Sequence, residues 1–337
     1  MESNKQTALL QSVCAVYNLG RSTDPPIQVK GGLQHTLYHI ATPQGEYAVK
    51  VLNPGMKDAR ENCRPGELIA RLARGAGLPA VCALEGPDGH YVQDADRAAV
   101  MVFPWHAGHT LPPTSAPLSQ AAQIGEILGR LHALELTVPG LTPPAPQWFP
   151  EAHWEELIRA GTQEETPWAE TLADGVSELR AWNQETRRAE AAMGESWVTT
   201  HRDLDQKNVL WSGATAPWLL DWEAAGRMPP TLEVMGAALN WAGQSAGAPE
   251  QATFAAFVAG YRGAAPLAPD ALKHAAVAVL GKWLVWLELN LRRSLASSQA
   301  PPEERALAYE AASHAFATLR RMAADTPTRL AWCDTLG

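Results

Sequence analysis

The chain has 337 residues, 46% of them hydrophobic and 19% charged, which suits a globular protein of two lobes better than one small core. A formal net charge of −9 argues against an extended nucleic-acid footprint, and no apolar run is long enough to span a bilayer. The N-terminal residues lack the basic stretch and apolar core of a signal peptide. Cys14, Cys63, Cys82 and Cys333 show neither metal-type spacing nor a disulfide pattern. The expectation is a cytoplasmic protein with free thiols, with no nucleic-acid and no membrane partner.

In chain order, the first hundred residues read as mostly strand. Ile27-Gln28-Val29-Lys30 runs into a Gly31-Gly32 turn, residues 37–42 form a second strand, and a Pro43-Gln44-Gly45 turn leads to a third over 46–52. Over 67–74, Leu68, Ile69 and Leu72 recur at helical spacing, and Gly75 and Gly77 close the segment. Two short strands are predicted near Tyr91-Val92 and over 98–103. After Pro104 the character changes. A loop through Pro117 enters a helix over 119–136, with Ile124, Ile127, Leu128 and Leu131 on one face. Residues 139–150 are a Pro-rich linker, and helices around 151–161 and 168–193 follow. Residues 231–324 read as helices separated by Pro/Gly breaks at 247–249, 263–269 and 300–302. The chain shows no internal repeat. The expected class is α+β, with a small antiparallel sheet lobe over 1–104, a hinge at 105–110 and a large mainly helical lobe over 111–337.

The charge is unevenly placed. Residues 1–115 carry ten Lys/Arg and ten Asp/Glu, whereas residues 151–195 carry eleven acids against four arginines. A solvated helical face is the ordinary meaning of such a run. The functional meaning is an acidic wall that attracts a cationic small molecule.

The chemistry gathers at His201-Arg202-Asp203-Leu204-Asp205-Gln206-Lys207-Asn208 and at Leu219-Leu220-Asp221-Trp222-Glu223. A loop of the form H-x-D-x-x-x-x-N followed by an apolar strand ending in Asp is how phosphoryl-transfer enzymes of the kinase type aim an acid, an amide and a second acid at one phosphate-metal centre. A loop of this form can arise by chance, so upstream partners decide its meaning. Lys50, in Ala48-Val49-Lys50 on the third strand, supplies an ammonium for α/β-phosphates. Glu67, at the start of the next helix, is the candidate carboxylate to hold it, with Glu61 as the alternative; a helix N-terminal charge is the plainer role for Glu67. Gly31-Gly32-Leu33-Gln34-His35-Thr36 lets the backbone bend close to phosphates, so that the N–H groups of His35 and Thr36 can donate; a simple hairpin turn is its ordinary reading. At Phe103-Pro104-Trp105-His106 the Pro104 carbonyl can accept from adenine while the His106 N–H donates to the ring, although a proline also ends edge strands.

Together these residues resemble the aminoglycoside phosphotransferase and choline kinase-like family of the protein-kinase-like superfamily. The resemblance runs from about Gly31 to Glu233. It includes Tyr47-Ala48-Val49-Lys50, Glu67 before Gly77-Leu78-Pro79, the hinge ending in Gly108, Leu128-Gly129-Arg130-Leu131-His132, the catalytic loop and Leu220-Asp221-Trp222-Glu223. It implies a protein-kinase-like two-lobed fold and ATP- or GTP-dependent phosphorylation of a small-molecule hydroxyl. Asp203 is then the base, Asn208 and Asp221 hold Mg²⁺, and His201 braces the loop. Glu223 reaches the metal's outer shell or faces outward. Two positions depart from the common pattern, Arg202 where many relatives have Gly and Asp205 where many have His. Trp148, Trp154, Trp168 and Trp182 are core residues or the lining of a cationic pocket.

A cationic antibiotic is the leading acceptor, with a metabolic alcohol of the choline, homoserine or sugar-alcohol type as the alternative. A nucleotide-binding pseudokinase is a third reading, opposed by the complete set Lys50, Asp203, Asn208 and Asp221. A protein kinase is disfavoured because only about ten residues separate Asp221 from the apolar helix at Leu232, too few for a peptide-binding activation segment.

Overall fold

A computed structural model describes residues 2–29, 35–53, 59–143, 145–194 and 197–336. In chain order the elements are α1 (Glu2–Val16), β1 (Ile27–Val29), β2 (Thr36–Thr42), β3 (Gly45–Val51), α2 (Ala59–Gly75), β4 (Gln93–Ala95) and β5 (Ala98–Pro104), then α3 (Leu118–Ala133), α4 (His153–Gln163), α5 (Ala169–Asp174) and α6 (Val176–Met193). They continue with β6 (Val198–Thr200), β7 (Val209–Ser212), β8 (Ala216–Leu219), β9 (Gly226–Met228), α7 (Pro230–Trp241), α8 (Gln251–Arg262), α9 (Pro269–Ala278), α10 (Leu280–Ser294), α11 (Pro302–Ala324) and α12 (Thr326–Asp334). Contacts divide the chain into two compact units. The first comprises Met1–Pro113, Arg130–Thr142 and Thr199–Arg227; the second comprises Thr114–Gly129, Pro143–Val198 and Met228–Gly337.

The first unit is organised by a sheet of order β1-β2-β3-β5-β4, antiparallel throughout. Side chains alternate along each strand, so Val49 faces Ile40, Val100 and Val102, while Lys50 shares the opposite face with Leu52 and Met101. The Val49 face is covered by α1, whose Leu10, Val13 and Cys14 recur at helical spacing. That helix was absent from the strand-dominated sequence reading, because its apolar stripe is short and its remaining positions are polar. The other face carries Cys63 of α2. This helix begins at Ala59, earlier than the expected 67–74, and runs through Pro65, which has no N–H for a bond one turn back.

The same unit holds the β7–β8 hairpin, paired from Val209↔Leu219 to Ser212↔Ala216. Two short bridges fix it. Leu219 N–H donates to Pro79 O and Val81 N–H to Leu219 O, and His109 and Trp211 exchange both backbone bonds. The chain after α2 and the chain after β5 are thereby both tied to the hairpin that separates the 201–208 loop from Asp221.

In the second unit α3 and α8 meet at close range. A Cβ on Gly125 would lie 2.0 Å from Phe257 O, and one on Gly260 would lie 1.9 Å from Ala122 O, so side chains at these positions would drive the helices apart. The helix expected over 168–193 is two, α5 and α6, broken at Gly175, where an added Cβ would strike the Phe316 ring at 2.4 Å. All four cysteines are buried free thiols. Among the described residues no helix is long and apolar enough to cross a membrane.

Candidate active site

The loop between β6 and β7 is short and internally bonded. Asn208, at the end of a 3-10 turn over Gln206–Asn208, is 4% exposed. Its Nδ2 donates to Asp203 O at 2.8 Å and to Asp203 Oδ2 at 2.9 Å. These bonds both use the amide nitrogen, which leaves Oδ1 as the oxygen Asn208 can offer a cation. His201 is fully buried. Its Nε2 lies 2.9 Å from Leu220 O and its ring packs on Trp222, while Leu220 N–H donates to Asn208 O. His201 therefore acts as a brace, joining the loop to the segment that carries Asp221. Arg202 and Asp221 both adopt left-handed backbone, with φ of 65° and 57°. Glycine enters that region freely, whereas arginine at position 202 is strained by roughly 1–2 kcal/mol.

Lys207 was not singled out in the sequence, although its i+4 spacing from Asp203 was legible there. Its Nζ lies 3.2 Å from Asp203 Oδ2 and 3.2 Å from Asp205 Oδ2. Burial disfavours its charge, but the two aspartates outweigh that and raise its pKa. Asp205 is accordingly a partner of Lys207.

Lys50 departs from expectation. Its Nζ sits 3.0 Å from Asp221 Oδ1 and 2.5 Å from Glu223 Oε1. Burial pulls its pKa down, and the two carboxylates more than reverse this. Glu67, expected to hold the ammonium, is turned elsewhere. It is 4% exposed, its Oε1 accepts the Ala83 N–H at 2.7 Å, and Arg71 lies 3.6 Å away. Burial pushes its carboxyl up to about 7 against the pull of Ala83 and Arg71, so it ties α2 to the segment leading to β4. The side chain of the alternative, Glu61, lies outside the described residues. Glu223 takes the lysine because Gly66 lets α2 approach the 222–223 backbone; a Cβ there would lie 2.1 Å from Trp222 O. Burial alone would raise Glu223, yet the His35 hydrogen bond and Lys50 hold its carboxyl down at about 2.

Of the proposed phosphate loop, Gly31 and Gly32 lie outside the described residues. His35 directs its ring at Glu223, with Nε2 3.2 Å from Oε2, and Thr36 opens β2 opposite Val51. Over the expected hinge, Pro104 ends β5 opposite Tyr47 and the Trp105 N–H is taken by Glu46 O at 3.0 Å. The His106 ring stacks on Trp218 at 4.0 Å, and burial, then the charge of Arg74, lowers its pKa. Lys50, Glu67, Pro104, His106, Asp203, Asn208 and Asp221 all belong to the first unit.

The tryptophans of the acidic region do not form a cationic cage. Trp154, Trp168 and Trp182 are 0%, 5% and 8% exposed, and the Trp148 face is covered by Arg187 at 4.7 Å. Several of the acids are also engaged within the second unit. Glu155 pairs with Arg180 and Glu178 with Arg320, while Glu164 accepts from the Ala296 N–H.

A sequence model of the phosphotransferase enzyme family (APH) matches residues 27–267. The chain belongs to this family. No curated sequence gives a significant match. Among solved structures, a spectinomycin phosphotransferase crystallised with ADP and spectinomycin superposes with a TM-score of 0.67 at 15% identity, covering 92% of this chain and 97% of its own. A choline/ethanolamine kinase family protein from Mesorhizobium loti gives 0.61 at 18% identity, covering 96% and 98%. An ethanolamine kinase from Plasmodium vivax gives 0.64 at 15% identity, covering 88% and 81%. These likenesses establish the fold, a mixed α+β, protein-kinase-like one. The family assignment makes the protein a phosphotransferase acting on hydroxyl groups of small molecules. The neighbours span antibiotic kinases and choline or ethanolamine kinases, so fold alone does not select between acceptor classes.

Proposed function

We propose that this phosphotransferase moves the γ-phosphoryl group of ATP or GTP to a hydroxyl of a cationic antibiotic, with Asp203 as the base. The observation that carries this reading is the Asn208 amide bonded to the Asp203 carboxylate at 2.9 Å. Asp203 is thereby held in one orientation, fit to accept the proton of an acceptor hydroxyl as the oxygen attacks phosphorus. Lys50 holds the nucleotide phosphates, Pro104 O and His106 N–H read the base, and the N–H groups after the glycine turn contribute donors.

The donor set fits Mg²⁺. Asn208 Oδ1 and the Asp221 carboxylate are hard oxygen donors, and Mg²⁺ is commonly held by one or two carboxylates with the substrate phosphates completing its shell. The site also sets four carboxylates (Asp203, Asp205, Asp221 and Glu223) against two lysines (Lys50 and Lys207), a charge that repels phosphate until a cation is present. When bound, the ion would offset charge on the phosphate oxygens; catalysis by the protein's own residues is then positioning and electrostatics.

The acidic excess of 151–195 supports a cationic acceptor through long-range attraction. The test is a panel assay. Purified protein with Mg²⁺ and ATP or GTP is offered aminoglycosides, peptide antibiotics and macrolides beside choline, ethanolamine, homoserine and sugar alcohols. Transfer confined to the metabolic alcohols would move the assignment to a metabolic kinase. Transfer to none of the panel would remove the acceptor proposal.

A further inference from the structure

We propose that His35 is a positioning residue that sets Glu223 so that Glu223 can aim Lys50. This rests on the reading of Lys50 as the phosphate-holding lysine. The His35 side chain is 6% exposed, and its two ring nitrogens have different partners. Nδ1 accepts the Asn53 N–H at 3.1 Å, so the ring proton resides on Nε2, which donates to Glu223 Oε2 at 3.2 Å. The other carboxylate oxygen, Oε1, receives Lys50 Nζ at 2.5 Å and the Cys63 thiol at 3.6 Å. Each oxygen of Glu223 is therefore assigned, one to orient the group and one to bind the lysine.

The consequence reaches Asp221. Lys50 is shared between Glu223 and Asp221 Oδ1. If Glu223 swings away, the ammonium falls to Asp221 alone and competes there with the cation that Asp221 is read to hold. His35 also lies directly before β2, so its side chain ties the start of that strand to Glu223, the partner of the lysine.

Two near-isosteric substitutions separate the two bonds. In His35→Asn the side-chain oxygen replaces Nδ1 as acceptor for Asn53 and the donor to Glu223 is lost. In His35→Gln the amide nitrogen replaces Nε2 as donor to Glu223 and the Asn53 acceptor is lost. The readout is calorimetric binding of a non-hydrolysable ATP or GTP analogue with Mg²⁺ to the full-length protein, which needs no acceptor. The expected result is a loss of roughly tenfold in affinity for His35→Asn, with most of it recovered in His35→Gln. In a Glu223→Ala background, His35→Asn should add nothing further. A purely structural role predicts the reverse order, Gln the weaker, and that order overturns the proposal, as does wild-type affinity in His35→Asn. If His35→Asn does not fold, His35→Leu, which removes both bonds, takes its place beside His35→Gln: a roughly tenfold loss in Leu that Gln largely recovers supports the proposal, and equal affinities in the two variants overturn it. Wild-type protein that binds neither nucleotide would instead remove the underlying reading of Lys50.

Discussion

Replacing Gly66 with alanine tests the approach that seats α2 on the segment carrying Glu223. The added Cβ would lie 2.1 Å from Trp222 O, 2.9 Å from Trp222 C and 3.3 Å from Glu223 Cα. Nothing in this group is a flexible side chain, so relief requires one backbone to retreat by about 1 Å even to reach the 3.0 Å that Cβ contacts essentially never undercut. Overpacking of this kind costs about 1–3 kcal/mol, and two rigid partners put Gly66 near the top of that range. Alanine returns up to about 1 kcal/mol through its better helix propensity, leaving a net loss of about 2 kcal/mol. For a unit of this size that lowers Tm by roughly 4–8 °C. Because Glu223 is displaced with its backbone, nucleotide affinity should fall as well. Gly75→Ala is the internal control: it lies in the same helix, with nothing within 4 Å of the added Cβ, and should leave Tm unchanged or slightly raised. Thermal unfolding followed by tryptophan fluorescence, paired with nucleotide titration, measures both effects. A Gly66→Ala variant that melts at or above wild type would refute the close approach and the account of Glu223 built on it.

Further outcomes follow from the same geometry. Asp203→Asn keeps the shape of the loop but removes the base, so turnover should drop roughly 10²- to 10⁴-fold with nucleotide affinity nearly unchanged; surviving turnover would reassign the base. Chelation of divalent ions should weaken nucleotide binding by more than tenfold, because four carboxylates then face the phosphates against two lysines; equal affinity with and without Mg²⁺ would sink that electrostatic reading. Glu67 has a folded-state pKa raised from 4.5 to about 7, so its favourable contribution is full below about 4.5 and is lost as pH rises through 7. Between pH 5 and 8 wild type should therefore lose stability relative to Glu67→Gln, by at most roughly 3 kcal/mol; urea-unfolding curves that run parallel across this window would contradict the shift.

The sequence by itself determined the class of chemistry. Asp203, Asn208 and Asp221 are close along the chain, and a short loop followed by a hairpin leaves them few arrangements, so their spacing carried most of their geometry. Period-2 alternation likewise placed Lys50 opposite Val49, on the sheet face that α2 covers. What the sequence left open depended on contacts between segments remote in the chain. His35 and Glu223 are 188 residues apart, and Lys50 and Asp221 are 171 apart, distances across which no local pattern speaks. Glu67 stands on the helix after Lys50, where the lysine's partner is expected, yet it turns to Ala83 because that buried N–H needs an acceptor. The tryptophans read as core or as the lining of a cationic pocket; Trp154, Trp168 and Trp182 are core and Trp148 is half-buried under Arg187, since burial is decided by which helix faces meet. The catalytic loop was written locally, whereas the partner of its lysine was decided by how α2, β2 and the Asp221 segment pack together.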